Sequence, residues 1–257
     1  MGQSIKLDMA CGSDTGRVRA RNEDHVRILP DLGLAILSDG MGGHKAGDVA
    51  SQIAVECIGE NWRGLFANLK PGAGITGAKR TDDLLTAVSM ANEQVYTLSK
   101  NNPEFQGMGA TVIAAHFNGD GLCAIHLGDS RLYRFRRGKL QQLTTDHTHA
   151  QESVRLGLIS AEEARGGYGW NLLLKALGVD SGIEPDVIAT QLQRGDMFLI
   201  ASDGLTDAVG DDDIRACIAL GNDNLADIVD DLIDLANQNG GPDNISVILI
   251  RVISIDD

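Results

Sequence analysis

The chain predicts an α+β domain in which antiparallel sheets are covered by helices. Three observations carry this. Short apolar runs bounded by Gly, Pro, Asn and Asp turns fill much of the 257 residues and have the length of strands. Helical apolar spacing comes in two blocks, between and after the strand blocks, rather than alternating with single strands as in a doubly wound fold. No Pro/Ser-rich linker, repeat or low-complexity tract divides the chain, so residues 1–257 are expected to form one domain.

In chain order, residues 4–11 form a first strand, followed by a polar, arginine-rich turn over 14–24. Residues 25–29 and 34–38 form a strand pair around Pro30-Asp31-Leu32-Gly33. From Ala46 the period changes: Ala46, Val49, Ala50, Ile53, Ala54, Cys57 and Ile58 make one helical stripe. A loop over 70–80 leads to a second helix, which Thr81 is placed to cap, with Asp82 and Asp83 in its first turn. Its stripe is Leu84, Leu85, Val88, Ala91, Val95 and Leu98. Runs at 111–117, 122–127, 131–135 and 140–143 look like successive hairpins. Residues 149–181 are weakly patterned and predict short helices with a mobile flap, where Tyr168 and Trp170 suit flap packing better than substrate stacking. Residues 187–192 and 197–201 predict a strand pair, 211–220 and 225–237 two helices with Gly240 as a stop, and 245–253 a closing strand.

Composition removes several function classes. Net charge is −14, which argues against nucleic acid or an anionic membrane as the main partner. No apolar stretch approaches the roughly 20 residues of a membrane span, and the N-terminus has no signal-peptide core, so a cytoplasmic, monomeric protein without membrane insertion is the expectation. Met1-Gly2 hints at myristoylation, but Lys6 stands where Ser or Thr is wanted. The four cysteines form no C-x-x-C pair and are expected to be buried free thiols. Basic residues cluster at Arg17, Arg19, Arg21 and Arg27 and again over 131–139, local positive charge that suits an anionic substrate such as a phosphate ester.

Asp39, Asp129 and Asp203 each follow an apolar run and touch a glycine in sequence, and Asp243 precedes one. Asp-Gly turns are common by themselves. Four together favour carboxylates converging on hard cations such as Mg²⁺ or Mn²⁺.

The ordered motifs Arg19-Ala20-Arg21-Asn22-Glu23-Asp24, Ser38-Asp39-Gly40-Met41-Gly42-Gly43-His44, Gly128-Asp129-Ser130-Arg131, Asp146-His147-Thr148, Ser202-Asp203-Gly204-Leu205 and Gly241-Pro242-Asp243-Asn244 give nearly the whole chain a resemblance to the PP2C (PPM) family of metal-dependent serine/threonine protein phosphatases, in its compact bacterial form. The resemblance implies a four-layer α-β-β-α sandwich with a two-metal centre in a cleft at the sheet edge. It implies that Asp39 bridges two Mn²⁺ or Mg²⁺ ions, that the Gly40 carbonyl is a ligand, and that Asp203 and Asp243 are terminal carboxylates. Glu23 and Asp24 would hold metal-bound waters, Arg19 would grip the substrate phosphate, and Asp129 with Asp203 would bind a third, weaker ion. The implied reaction is hydrolysis of phosphoserine and phosphothreonine by direct attack of a bridging hydroxide, reversing a bacterial Ser/Thr kinase acting on the same phosphoproteins. Two other readings compete: a non-catalytic regulatory module on the same fold, and a phosphoesterase for small molecules.

One departure concerns the leaving-group proton. Met41 stands where eukaryotic members have a histidine proposed as general acid, and His44 is more naturally a helix-start group. Lys175 replaces a common arginine and has no functional reading in sequence. His116 and His126, alternating with apolar residues, are expected on packed or strand-surface positions. His147 is expected in a structural turn, with Asp146 as an aid to the site.

Overall fold

The computed structural model describes residues 4–42, 46–67, 77–119, 121–164 and 172–256. Two antiparallel sheets stack face to face, and helices cover both outer faces. The first sheet has five strands: β1 (Ser4–Asp14), β7 (Arg131–Arg136), β8 (Lys139–Gln142), β10 (Met197–Ala201) and β11 (Ile245–Asp256), in the order β1-β11-β10-β7-β8. The second runs β2-β3-β5-β6-β9, from β2 (Asp24–Leu29), β3 (Leu34–Met41), β5 (Val112–Asn118), β6 (Gly121–Leu127) and β9 (Asp186–Thr190), with the short β4 (Gly109–Ala110) on the end of β3.

The alternation along each strand assigns its side chains to layers. On β3, Ala35 and Leu37 enter the inter-sheet core while Leu34 and Ile36 face helices α1 (Ala46–Ala67) and α2 (Gly77–Asn101). On β11, Ile248 and Ile250 face the other sheet, whereas Val247 and Leu249 pack under α5 (Asp203–Thr206), α6 (Asp211–Leu220) and α7 (Leu225–Gln238). Both faces of the central strands are therefore buried, which is why they read as continuous apolar runs. Phe117 and Phe198 meet edge to face across the two sheets, centroids 5.2 Å apart, a geometry that aromatic quadrupoles favour. Two short helices, α3 (His149–Arg155) and α4 (Ala161–Ala164), follow β8.

Several expectations are corrected. Residues 122–127 and 131–135 do not form a hairpin: β6 pairs with β5 and β9, β7 with β8 and β10, and the chain changes sheets at Gly128-Asp129-Ser130. Residues 187–192 and 197–201 likewise part company, β9 joining β6 and β10 joining β7 and β11. Local apolar runs cannot specify which sheet a strand joins when both faces of both sheets are buried. Thr81 is not a cap; α2 starts four residues earlier, at Gly77, and the Thr81 hydroxyl lies 3.4 Å from the Cys123 sulfur. Only Cys57 and Cys123 are buried; Cys11 is exposed and Cys217 partly so. His116 and His126, by contrast, take the packed positions expected of them, and His116 packs against Trp62 at 4.8 Å. The basic cluster after β6 is structural: Arg131 pairs with Asp146 and Arg136 with Asp196. His44, Tyr168, Trp170 and residues 70–76 lie outside the described residues.

Candidate metal centre

Asp24 and Asp39 are cross-strand partners, directly opposite in the β2–β3 register. Like charges so placed repel and destabilise a sheet, so something must compensate. Neither oxygen of the buried Asp24 carboxylate has a well-formed hydrogen bond among the described residues, although Ser202, Ser246 and Asp39 lie near enough to act on it, and Asp203 Oδ1 likewise lacks a well-formed partner. An unpaired buried carboxylate is costly unless protonated or held by a cation.

The remaining carboxylates come from the ends of other strands. Asp203 follows β10 as the first residue of α5, Asp243 precedes β11, and Asp129 lies in the turn before β7. β10 lies between β11 and β7, which brings the three to one end of the sandwich. Glycines make the approach close enough. A Cβ on Gly204 would stand 2.0 Å from the Asn244 carbonyl oxygen, and one on Gly40 would stand 2.1 Å from that of Gly47, so only glycine allows these backbones to touch. The first contact joins the Asp203 and Asp243 segments; the second seats α1 against Asp39, with the Glu23 carboxylate beside Gly47.

Asn244 ties the arginine-rich turn to this end. Its Oδ1 accepts the Glu23 N–H at 2.8 Å, and its Nδ2 donates to the Thr15 and Arg21 carbonyls at 2.9 and 2.8 Å. Behind Asp39, the Thr111 hydroxyl accepts the Asp39 N–H at 3.0 Å. Arg19 donates to Asp243 Oδ2 at 2.6 Å and is 56% exposed, so its guanidinium faces both the cluster and solvent.

Electrostatics places the carboxylates in one another's field. Burial pushes Asp24 up to about 7. Asp203 also rises to about 7, through the surrounding protein and then the charges of Asp207 and Asp243. Asp39 and Asp129, though part-exposed at the mouth, stand well above the ordinary carboxylate range. For Asp39 the causes are desolvation, then the fields of Asp24, Asp203, Asp129 and Asp243.

Asp24, Asp129, Asp203 and Asp243 thus all lie in the field of Asp39, with Glu23 and Gly40 at the α1 side. Two contributors were not anticipated. Asp207, four residues after Asp203, adds its field to both Asp203 and Asp129; the helical i, i+4 spacing of the two aspartates was the available signal. Asn244, present in the Gly241-Pro242-Asp243-Asn244 motif, is the tie between segments.

The donor set is all oxygen, crowded and rich in unbalanced negative charge, which fits hard divalent cations rather than zinc-type ligation. Among known proteins, the family model for protein phosphatase 2C matches residues 11–249. The serine/threonine protein phosphatase PstP of Mycobacterium tuberculosis is 36% identical over 253 residues, covering 98% of this chain and 46% of that protein. The serine/threonine phosphatase stp of Listeria monocytogenes is 35% identical over 242 residues, 93% of each chain. This chain therefore spans about half the length of the mycobacterial relative and nearly all of the Listeria one. The crystal structure of the PstP catalytic domain in complex with 2 manganese ions matches at 36% identity with a TM-score of 0.82, over 96% of this chain and 99% of that one. Stp1 from Staphylococcus aureus matches at 30% identity with a TM-score of 0.88, over 99% and 98%. The chain belongs to the protein phosphatase 2C family.

Proposed function

We propose that this chain is a Mn²⁺- or Mg²⁺-dependent protein serine/threonine phosphatase, with residues 1–257 as one phosphatase domain. The observation that carries the proposal is the facing Asp24–Asp39 pair, buried at Asp24 and in the field of Asp203 and Asp243, with Arg19 on Asp243. Asp39, the Gly40 carbonyl, Asp203 and Asp243 would hold two core cations, Glu23 and Asp24 would bind waters around them, and Asp129 with Asp203 would take a third. Bound there, the cations supply Lewis-acid activation of water and neutralise charge on the phosphoryl group.

The chain's own residues do the rest. Arg19 is exposed enough to offer its planar fork to phosphoryl oxygens, orienting the ester by charge-assisted hydrogen bonds. Asn244 keeps the Arg19–Asp24 turn at a fixed distance from Asp243, so the clamp and the carboxylates move as one unit. Met41 has no proton to give, so the leaving alkoxide takes its proton from water ordered by the carboxylates. Residues 149–181, of which 165–171 lie outside the described residues, would read the protein part of the substrate. The substrates would be phosphoproteins, the opposing enzyme a Ser/Thr kinase, and the working form a monomer. Among the described residues no helix is long and apolar enough to cross a membrane.

A non-catalytic module would be marked by the loss of a metal carboxylate, and the sequence keeps Asp39, Asp203 and Asp243. The small-molecule reading is separated by substrate. Turnover of phosphoserine and phosphothreonine peptides should exceed that of nucleotides in kcat/KM; a preference for nucleotides would reverse the assignment.

A further inference from the structure

A second cluster lies behind the Asp129 turn. His126, His147 and Asp186 bring donor atoms within 4.8 Å of one another. His126 is on β6 and Asp186 on β9, directly opposite in register, and the two imidazoles stack with centroids 4.7 Å apart. Such a group suggests a transition-metal site, but its hydrogen bonding argues otherwise. The Gly128 N–H donates to His147 Nδ1 at 3.1 Å. A nitrogen that accepts is unprotonated, so the neutral ring carries its proton on Nε2. That nitrogen faces Asp186 Oδ2 at 3.3 Å and has no lone pair for a metal. Asp186 also has a cation nearby, with Lys175 Nζ 4.0 Å from its other oxygen.

What the cluster does hold is the turn. The His147 N–H donates to the Gly128 carbonyl at 2.8 Å, so residues 128 and 147 are joined by bonds in both directions. Gly128 sits at φ +115, and a Cβ there would stand 2.6 Å from Thr111. The turn therefore has no side chain of its own at Gly128 to fix it. His147 is fixed on its other sides by the stacked, buried His126 and by the Leu174 N–H, which donates to its carbonyl at 2.8 Å, while Asp186 lies beside its Nε2 without a well-formed hydrogen bond. Lys175 donates to the Glu184 carbonyl at 3.0 Å, anchoring the entry to β9 where Asp186 stands.

We propose that His147 is a positioning residue: held between Gly128 and Asp186, its imidazole fixes the turn that presents Asp129 and so sets how tightly Asp129 takes a divalent cation. The proposal rests on the reading of Asp129 as a ligand of the third, weaker ion. It gives Lys175, which had no functional reading in sequence, a supporting place in the same strut.

Isosteric substitution tests this. Asparagine places its carbonyl oxygen near Nδ1 and can accept the Gly128 N–H; glutamine places its amide near Nε2 and cannot. Mn²⁺ titration calorimetry on the full chain should show His147→Gln weakening the low-affinity phase by ~10-fold or more, in the range seen when outer hydrogen bonds to metal ligands are removed. The tight phase should be unchanged, and His147→Asn should stay within about threefold of wild type. Imidazole ¹⁵N shifts of the metal-free protein should show His147 protonated at Nε2. Should His147→Gln fail to fold, Asp186→Asn, at a half-exposed side chain, should weaken the same phase in the same direction. A weak phase removed by Asp129→Ala but equal in His147→Asn and His147→Gln, or a Nδ1-protonated His147, overturns the proposal alone. A wild type without any weak phase overturns it together with the Asp129 assignment, and intact tight binding would still leave the two-cation reading standing.

Discussion

At the scale of residues, the site is a set of acids whose charges the protein does not balance. The pH dependence follows with a definite sign. Burial raises the Asp24 and Asp203 carboxyls to about 7 in the metal-free fold, while the unfolded chain titrates near 4. Between those values these two carboxyls keep protons in the folded state that the unfolded chain has lost, so their contribution to the stability of the metal-free protein should fall as pH rises from about 4 to 7, while buried His116 and His126, held down to about 3, contribute with the opposite sign over much of the same range. Thermal midpoints in chelator, compared between wild type and Asp24→Asn across that range, isolate the carboxylate part: wild type should lose stability relative to the variant as pH rises, and a difference growing in favour of wild type would contradict this. Mn²⁺ must displace those protons, so its affinity should rise across the same window. Arg19→Ala should mainly raise KM, costing about 2–4 kcal/mol in kcat/KM. Arg21→Ala should cost much less, since Arg19 is the one bonded to Asp243; steady-state kinetics showing equal effects would place the clamp elsewhere.

At the scale of elements, the sandwich is held by strand alternation and by glycine contacts. Phe198→Ala opens a cavity opposite Phe117 in the inter-sheet core and should cost about 3–5 kcal/mol in urea unfolding. Gly204→Ala drives a methyl group into the Asn244 carbonyl. It should impair metal binding at Asp203 and Asp243 more than it lowers stability in chelator. Replacing residues 149–181 should change preference among phosphopeptides more than hydrolysis of p-nitrophenyl phosphate, and equal effects on both would count against a recognition role. These elements also show where sequence was legible. The helical stripes of α1 and α7 and the strand runs of β3 and β11 were plain in their periodicity. The start of α2 at Gly77 was not, because Thr81 and its two following aspartates imitate a cap. The change of sheet at Gly128-Asp129-Ser130 was also hidden, since a Gly-Asp turn between two apolar runs looks like a hairpin whichever sheet receives the second strand.

At the scale of the molecule, the two-sheet stack brings the ends of β3, β7, β10 and β11 together, and residues 39, 129, 203 and 243 meet there. The convergence could be anticipated from aspartates recurring at strand ends. Their mutual fields and the tie through Asn244 could not, because each depends on chain segments brought together only by the fold, whereas Asp207 was open to view as the i, i+4 neighbour of Asp203. The central claim is that these carboxylates hold catalytic cations. The most direct measurement is phosphopeptide turnover by chelator-treated protein, with Mn²⁺ then added back, run in parallel on wild type and Asp39→Asn. Chelator should abolish turnover, Mn²⁺ should restore it in wild type, and Asp39→Asn should lose ~10³-fold or more in kcat at saturating Mn²⁺. Full turnover in excess chelator, or an Asp39→Asn protein restored as well as wild type, would contradict it.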